Sequence, residues 1–335
     1  AFAGLGQNSF EMVIVGLFLL GLGWSASTVA GSALLSEVLP TDEKTKVQGF
    51  SDSLMNLSGA FGGAISGTIL LNLDTEDDDE LSIGCAGGID TNTSTAIIYE
   101  DLPSNYVCFD IKLRGLLGGH SGMDIHLGRG NANKWMSRIL WTLSQKIEVQ
   151  LISFDGGSLR NAIPREASVT VTAPATKLSQ LQKAITEFEA LLRVELAAVE
   201  PALKLSLIET TTPAQVLTPT AQNMLINLLN VCPNGVMRMS DEVAGVTETS
   251  LNMGVITTKD NSVQVLCLIR SLIDSGREQV QSMLGSLAQL AGAEVKFSGA
   301  YPGWKPNPDS PVMAIVNQTY KDIYHKDPVI MVIHA

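Results

Sequence analysis

The chain has 335 residues, enough for two or three domains, and 45% of them are hydrophobic, enough to fill real cores. Thirty-four acidic against 22 basic side chains give a formal net charge of −12, which argues against a nucleic-acid partner, because such partners select basic patches. The four cysteines, at 85, 108, 232 and 267, form no CxxC pair, so reduced buried thiols in a reducing cytoplasm are expected rather than a disulfide framework.

Residues 12–35 are almost wholly apolar and long enough to cross a hydrocarbon core. Gly16, Gly21, Gly23, Ala26, Ala30 and Gly31 give the small-residue spacing of a membrane helix packed on neighbours. A charged loop at 40–49 and a second apolar run at 54–71 complete a transmembrane-like helical hairpin. The other reading is a glycine- and alanine-rich buried hairpin of a soluble protein. A secretory signal does not fit, since no basic segment precedes the first run and a second run follows. The acidic run TEDDDE at 75–80 lacks the spacing and the glycine of a calcium loop, so it reads as a solvated turn.

From residue 107 the chain alternates strands and helices. Val107, Phe109, Ile111 and Leu113 have strand period, a helix is expected at 130–146, and strands at 148–154 and 167–173. Thr176 is the expected cap of a helix whose apolar face is Leu178, Leu181, Ile185, Phe188, Leu192 and Leu196. Strand period returns at Leu203, Leu205 and Leu207, which completes a ferredoxin-like α+β pattern. A second unit follows, with a helix at 219–230, strands near 249–257 and 262–270, a helix between Gly276 and Gly292, and a strand at 294–298.

The run GGHSGMDIHLGRGNANKW at 118–135 carries the most chemistry. It places His120 and His126 in a loop whose glycines leave room for another group to approach closely. A surface histidine in an ordinary glycine loop is the competing reading. Ser121 beside His120 does not amount to a nucleophile and its base, because adjacency in sequence is not that geometry. Trp304, in YPGWKP, is expected to pack where the chain returns from one domain to another.

Several long motifs occur in one order: LNLDTEDDDELSIGCAGGID at 71–90, the 118–135 run, DGGSLRNAIPREA at 155–167, CPNGVMRMSDEVAGVTETSLNMGV at 232–255, CLIRSLIDSG at 267–276, GAYPGWKPNPDSPVM at 299–313 and VIHA at 332–335. Together they resemble the aminoacyl-histidine dipeptidases, or cytosol non-specific dipeptidases, of the di-zinc M20 metallopeptidases. The resemblance covers about 70–335, roughly the C-terminal two thirds of such an enzyme without its extreme end. It implies an α/β fold with a partial M20 zinc-peptidase catalytic domain at 71–87 and 300–335, and an inserted two-layer α+β lid domain at 88–299. Residues 1–70 resemble two helices of a major facilitator transporter.

The resemblance also implies site residues. Asp74 and His334 match zinc ligands, His120 the lid histidine that stabilises the tetrahedral oxyanion, and Asn161 and Arg270 polar lid positions that hold the substrate backbone and carboxylate. Arginine suits that task through its planar fork. His126 and Arg129 are expected only to shape the loop. The implied activity is hydrolysis of Xaa-His and other dipeptides with two zinc ions per site, in the cytoplasm, with a homodimer through the lid. No His-x-Asp sequence precedes residue 71, where the resemblance would place it. The other metal ligands and the general base of the resembled enzymes have no counterpart, so this chain alone is expected neither to retain zinc nor to hydrolyse peptides. The alternative is a transporter fragment fused to a passenger lid module, with membrane contact only if residues 1–70 are native. The join near 69–71 has no linker, and a helix ending in hydrocarbon cannot also be a central strand of a soluble sheet. A chimeric reading frame is therefore expected.

Overall fold

The structure is a computed structural model in which residues 79–334 are described. The hairpin expected at 1–70 and the ligand position Asp74 lie outside those residues. In chain order the strands and helices are β1 (Glu80–Ala96), β2 (Tyr99–Asp101), β3 (Tyr106–Arg114), β4 (Gly119–His120), α1 (Ala132–Lys146), β5 (Gln150–Gly156), β6 (Ala162–Ile163), β7 (Ala167–Pro174), α2 (Leu178–Glu195) and β8 (Lys204–Thr210). There follow β9 (Gln215–Leu217), α3 (Pro219–Val231), β10 (Gly235–Met239), β11 (Thr247–Lys259), β12 (Ser262–Ser271), α4 (Asp274–Leu290), β13 (Glu294–Tyr301), α5 (Pro311–Tyr324) and β14 (Val329–His334).

Two ferredoxin-like units share one ten-stranded sheet. The first is β3-α1-β5-β7-α2-β8, with strand order β8-β3-β7-β5 and every neighbour antiparallel. The second is β1-α3-β11-β12-α4-β13, with the same relative order β13-β1-β12-β11. Its first strand is separated from its first helix by the whole of the first unit. The two units meet edge to edge where Ile256 of β11 pairs with Gly156 of β5.

The helices form because their apolar residues recur on one face and cover the sheet. In α1, Met136, Ile139, Leu140 and Leu143 are buried, and in α2 Leu181, Ile185, Phe188 and Leu192. Each such side chain contributes about 1.5–3 kcal/mol on leaving water. The Asn131 side chain caps α1 by accepting from Lys134 N at 3.1 Å. Thr218 caps α3, with Pro219 in the first turn. The cap expected at Thr176 is not formed. That residue lies within the 3-10 turn Ala175–Lys177, and α2 starts after Lys177 without a side-chain cap. Between β11 and β12 the chain reverses through Asp260 and Asn261, both at positive φ, the two-residue turn that matches strand twist.

Strand β1 is 17 residues long and runs through position 87/88 without a break, so the domain boundary expected there falls inside one strand. Its first part pairs in parallel with β14, from Glu80↔Val329 to Ala86↔His334, and its second part pairs with β12 and β13. Gly87 permits this crossing, since a Cβ there would stand 2.4 Å from the backbone of Pro302 and Gly303. The Trp304 backbone pairs with Cys85, but its side chain is 55% exposed, so the packing role expected for it is not made among the described residues. All four cysteines are free, and Cys108, Cys232 and Cys267 are buried.

Candidate functional site

The loop between β3 and α1 is held into a fixed shape. Gly118 and Gly119 take positive φ, and β4 pairs with β6, His120 facing Ala162. Asp124 Oδ2 accepts from His120 N at 2.8 Å, and Asp124 N donates to His120 O at 3.0 Å. Arg129 donates to Gly118 O at 2.7 Å and lies 3.3 Å from Asp124, so it braces the loop as expected. His126 is exposed on the 3-10 turn Ile125–Leu127. Gly122 brings the loop against β14, since a Cβ there would stand 2.3 Å from His334 Cβ.

This approach gathers three of the expected residues. Arg270, at the end of β12 and 3% exposed, donates from Nη1 to Tyr301 OH at 3.3 Å and from Nε to Ser121 Oγ at 3.4 Å. Its Nη2 lies 3.4 Å from His120 Nε2. The His120 Nδ1 accepts from Gly122 N at 3.3 Å and Met123 N at 3.2 Å, which assigns the ring proton to Nε2. Nε2–H and the Arg270 fork are therefore both donors, 3.4 Å apart, and a carboxylate or oxyanion accepting from each would relieve the contact between them. Among the described residues Arg270 makes no ion pair. Asp274, four residues beyond it, pairs with Arg277 at 3.1 Å. Burial pushes the Arg270 guanidinium below its ordinary range, and burial followed by the nearby Arg270 charge lowers the His120 imidazole. Both effects favour the neutral imidazole, and the nearby Asp124 charge opposes them.

His334 is buried at the end of β14. Its Nε2 donates to Thr247 O at 3.1 Å, while its Nδ1 is buried without a hydrogen-bond partner. That is the tautomer of a ligand histidine whose second nitrogen is oriented by backbone. Burial lowers this imidazole also. One nitrogen does not make a zinc site, and among the described residues no group of three or more His, Cys, Asp and Glu side chains converges. By themselves these residues do not fit a di-zinc cluster, and no step is derived through one.

Asn161 is exposed on the short stretch before β6, and its carbonyl accepts from Ser121 N at 2.9 Å, so it stands beside the His120 loop. Sequence reasoning missed what holds it there. Arg160 pairs with Asp90 at 2.7 Å and donates to Asn92 at 2.8 Å, both on β1. Asn252 of β11 donates to the carbonyls of Arg160 at 2.9 Å and Ala162 at 2.8 Å, either side of Asn161. Tyr301, against Arg270, was missed as well.

A two-unit α/β fold that gathers His120, Arg270 and His334 defines a class. Residues 111–200 match the family described as the peptidase dimerisation domain, M20_dimer, and the described residues have the α/β fold of the M20 peptidases. The chain is 46% identical over 282 residues to the cytosol non-specific dipeptidase of Escherichia coli (strain K12), a match covering 83% of this chain and 58% of that protein. It is 54% identical to the aminoacylhistidine dipeptidase from Vibrio alginolyticus, with a TM-score of 0.78, over 80% of this chain and 55% of that one. The resemblance to the Xaa-His dipeptidases therefore holds over most of this chain, which spans somewhat more than half the length of these relatives. A separate, partial similarity, 38% identical over 82 residues, is to the uncharacterized MFS-type transporter YdeG of Bacillus subtilis (strain 168), covering 24% of this chain and 18% of that protein. Among the described residues no helix is long and apolar enough to cross a membrane.

Proposed function

We propose that residues 71–334 supply the substrate-binding lid and part of the catalytic domain of a metal-dependent dipeptidase of the M20 type, acting in the cytoplasm on Xaa-His and other dipeptides. The lid takes in 88–299, and the catalytic part 71–87 and 300–335. The observation that carries this reading is the buried Arg270 fork beside the Nε2–H of His120, with no carboxylate of the described residues on either. Arg270 receives the dipeptide's terminal carboxylate, His120 donates to the carbonyl oxygen as negative charge develops on it, and Asn161 holds the substrate backbone. Asp74 and His334 are the proposed zinc ligands. The free Nδ1 of His334 supports its part in that set. A pair of chains joined through the lid is part of the same reading, supported by the match to the dimerisation domain and by the exposed Ile208 on edge strand β8. Residues 1–70 are proposed as a transporter-like segment joined to the lid by a chimeric reading frame, which sequencing the source DNA across codons 60–80 tests.

The test is calorimetric titration of the purified chain with alanyl-histidine, alongside zinc analysis and a hydrolysis assay. Wild type is expected to bind the dipeptide, Arg270→Lys to bind it about tenfold more weakly or worse through loss of the fork, and neither to turn it over. Equal affinities for the two proteins would sink the assignment of Arg270. Turnover with two zinc ions per chain would show that other residues complete the metal site.

A further inference from the structure

Glu200 is the most unusual acid in the described chain. It is 1% exposed, stands just beyond α2, and has no ion pair among the described residues. Carboxylates are almost never buried so fully without a reason, since the charge must be satisfied locally. Here it is satisfied by backbone. Oε2 accepts from Leu117 N at 2.7 Å, and Oε1 accepts from Gly130 N at 2.7 Å. Both lengths belong to strong, charge-assisted bonds.

The two donors are not neighbours. Leu117 and Gly130 are the opposite stems of the loop that carries His120, and one carboxylate closes them. Within the loop, Asp124 and Arg129 brace the turn around His120, but both are part-exposed and belong to the loop itself. Among the described residues Glu200 is the one side chain that bonds both Leu117 and Gly130. Gly130 fits this role: even a Cβ there would stand only 3.4 Å from Glu200 Cγ, so the stem lies directly on the carboxylate.

We propose that Glu200 is a positioning residue: its single carboxylate clasps both stems of the 117–130 loop and so fixes the direction in which His120 presents Nε2–H beside Arg270. The word positioning rests on the donor role given to His120 above, whereas the clasp does not. An aspartate is too short to span both stems. A glutamine keeps one acceptor oxygen and turns an NH2 donor toward the other stem, so it breaks one bond and leaves the other.

The test compares wild type with Glu200→Gln and Glu200→Ala by amide hydrogen exchange and by 15N NMR of the His120 ring, on the full chain. In the glutamine variant one of the Leu117 and Gly130 amides is expected to exchange about tenfold faster or more while the other keeps its protection, with α1 and β7 unchanged. In the alanine variant both are freed, and the ring moves from a single Nε2–H tautomer to a mixture as the Gly122 and Met123 bonds loosen. If Glu200→Ala does not fold, the glutamine variant decides. Exchange that rises evenly over α1, β7 and the loop would make Glu200 a plain core residue and overturn the proposal, and so would an unchanged loop. Loss of dipeptide binding in Arg270→Lys with this loop intact bears on the site alone. Normal dipeptide binding with a freed loop would keep the clasp and remove its link to function.

Discussion

The two ferredoxin-like units have the same strand order but obtain it differently. In the first, all six elements follow one another between Tyr106 and Thr210, and the long loop after its first strand is free to carry His120. In the second, β1 is detached from α3 by that whole unit, and apart from the stretch between α3 and β11 that carries β10 the remaining connections are short, such as the two-residue turn Asp260–Asn261. The continuous unit thus supplies chemistry on loops, His120 and Asn161. The split unit supplies Arg270 and Tyr301 from the ends of strands, and its first strand reaches on to hold β14 and His334. A site built across such a joint takes its charge from strand ends on one side and a braced loop donor from the other.

Deep substitutions in each unit test whether the shared sheet makes them one cooperative body. Phe154 in β5 is fully buried and Leu284 in α4 is 3% exposed. Phe154→Ala is expected to cost about 3–5 kcal/mol and Leu284→Ala about 2–5 kcal/mol. Each should move a single urea transition followed by both fluorescence and circular dichroism. Two separated transitions, only one of which responds to each substitution, would break the picture of one sheet. Next in size, Arg270→Met replaces a buried, unpaired guanidinium by an apolar chain and is expected to stabilise the fold by about 1–4 kcal/mol while removing carboxylate binding. A destabilised Arg270→Met protein would mean that Tyr301 and Ser121 satisfy the charge fully, and the case for an anion site would weaken. Asn252→Ala comes third. It leaves the carbonyls of Arg160 and Ala162 unpaired, at about 1–3 kcal/mol, and should raise hydrogen exchange at 160–163 before it affects the hairpin turn.

The continuous unit was the legible one. Its helices and strands were readable because each apolar stripe, such as Leu181, Ile185, Phe188 and Leu192, lies within one stretch of sequence and packs on a sheet built from its own neighbours. The split unit showed its local elements but not its order, since nothing local tells β1 to pair with β12 and β13 some 170–200 residues later. The length of β1 was hidden for the same reason: glycines at 84, 87 and 88 weaken strand period, yet they are what lets 301–303 cross it. Helix α5 buries none of its residues in the described chain, so it gave no core-facing stripe to read. Of the site, the motif residues His120, Asn161, Arg270 and His334 came from resemblance, and the structure brings His120, Arg270 and His334 together with Asn161 exposed beside the His120 loop. Glu200, Asn252 and Tyr301 were invisible, because a residue that holds a distant backbone carries no spacing signal of its own.

The mildest test changes only pH. Burial lowers both His120 and His334, the one on the loop of the continuous unit and the other on the strand beside the split unit, and Arg270 adds to the shift of each. Above the ordinary value of 6.5 both rings are neutral whether the chain is folded or not, and the fold has its full stability. As pH falls below 6.5 the unfolded chain takes up protons first, so stability drops through the window between 6.5 and the lowered folded values, then levels once the folded rings are protonated too. Urea midpoints measured from about pH 8 to about pH 5 should decline in that order. His120→Gln and His334→Gln should each flatten part of the slope, and Arg270→Met should flatten both parts, because the same charge faces both rings. A slope that survives Arg270→Met but vanishes with His334→Gln would assign the effect to burial on the split side, and would show that the loop histidine is better solvated than its position beside Arg270 implies.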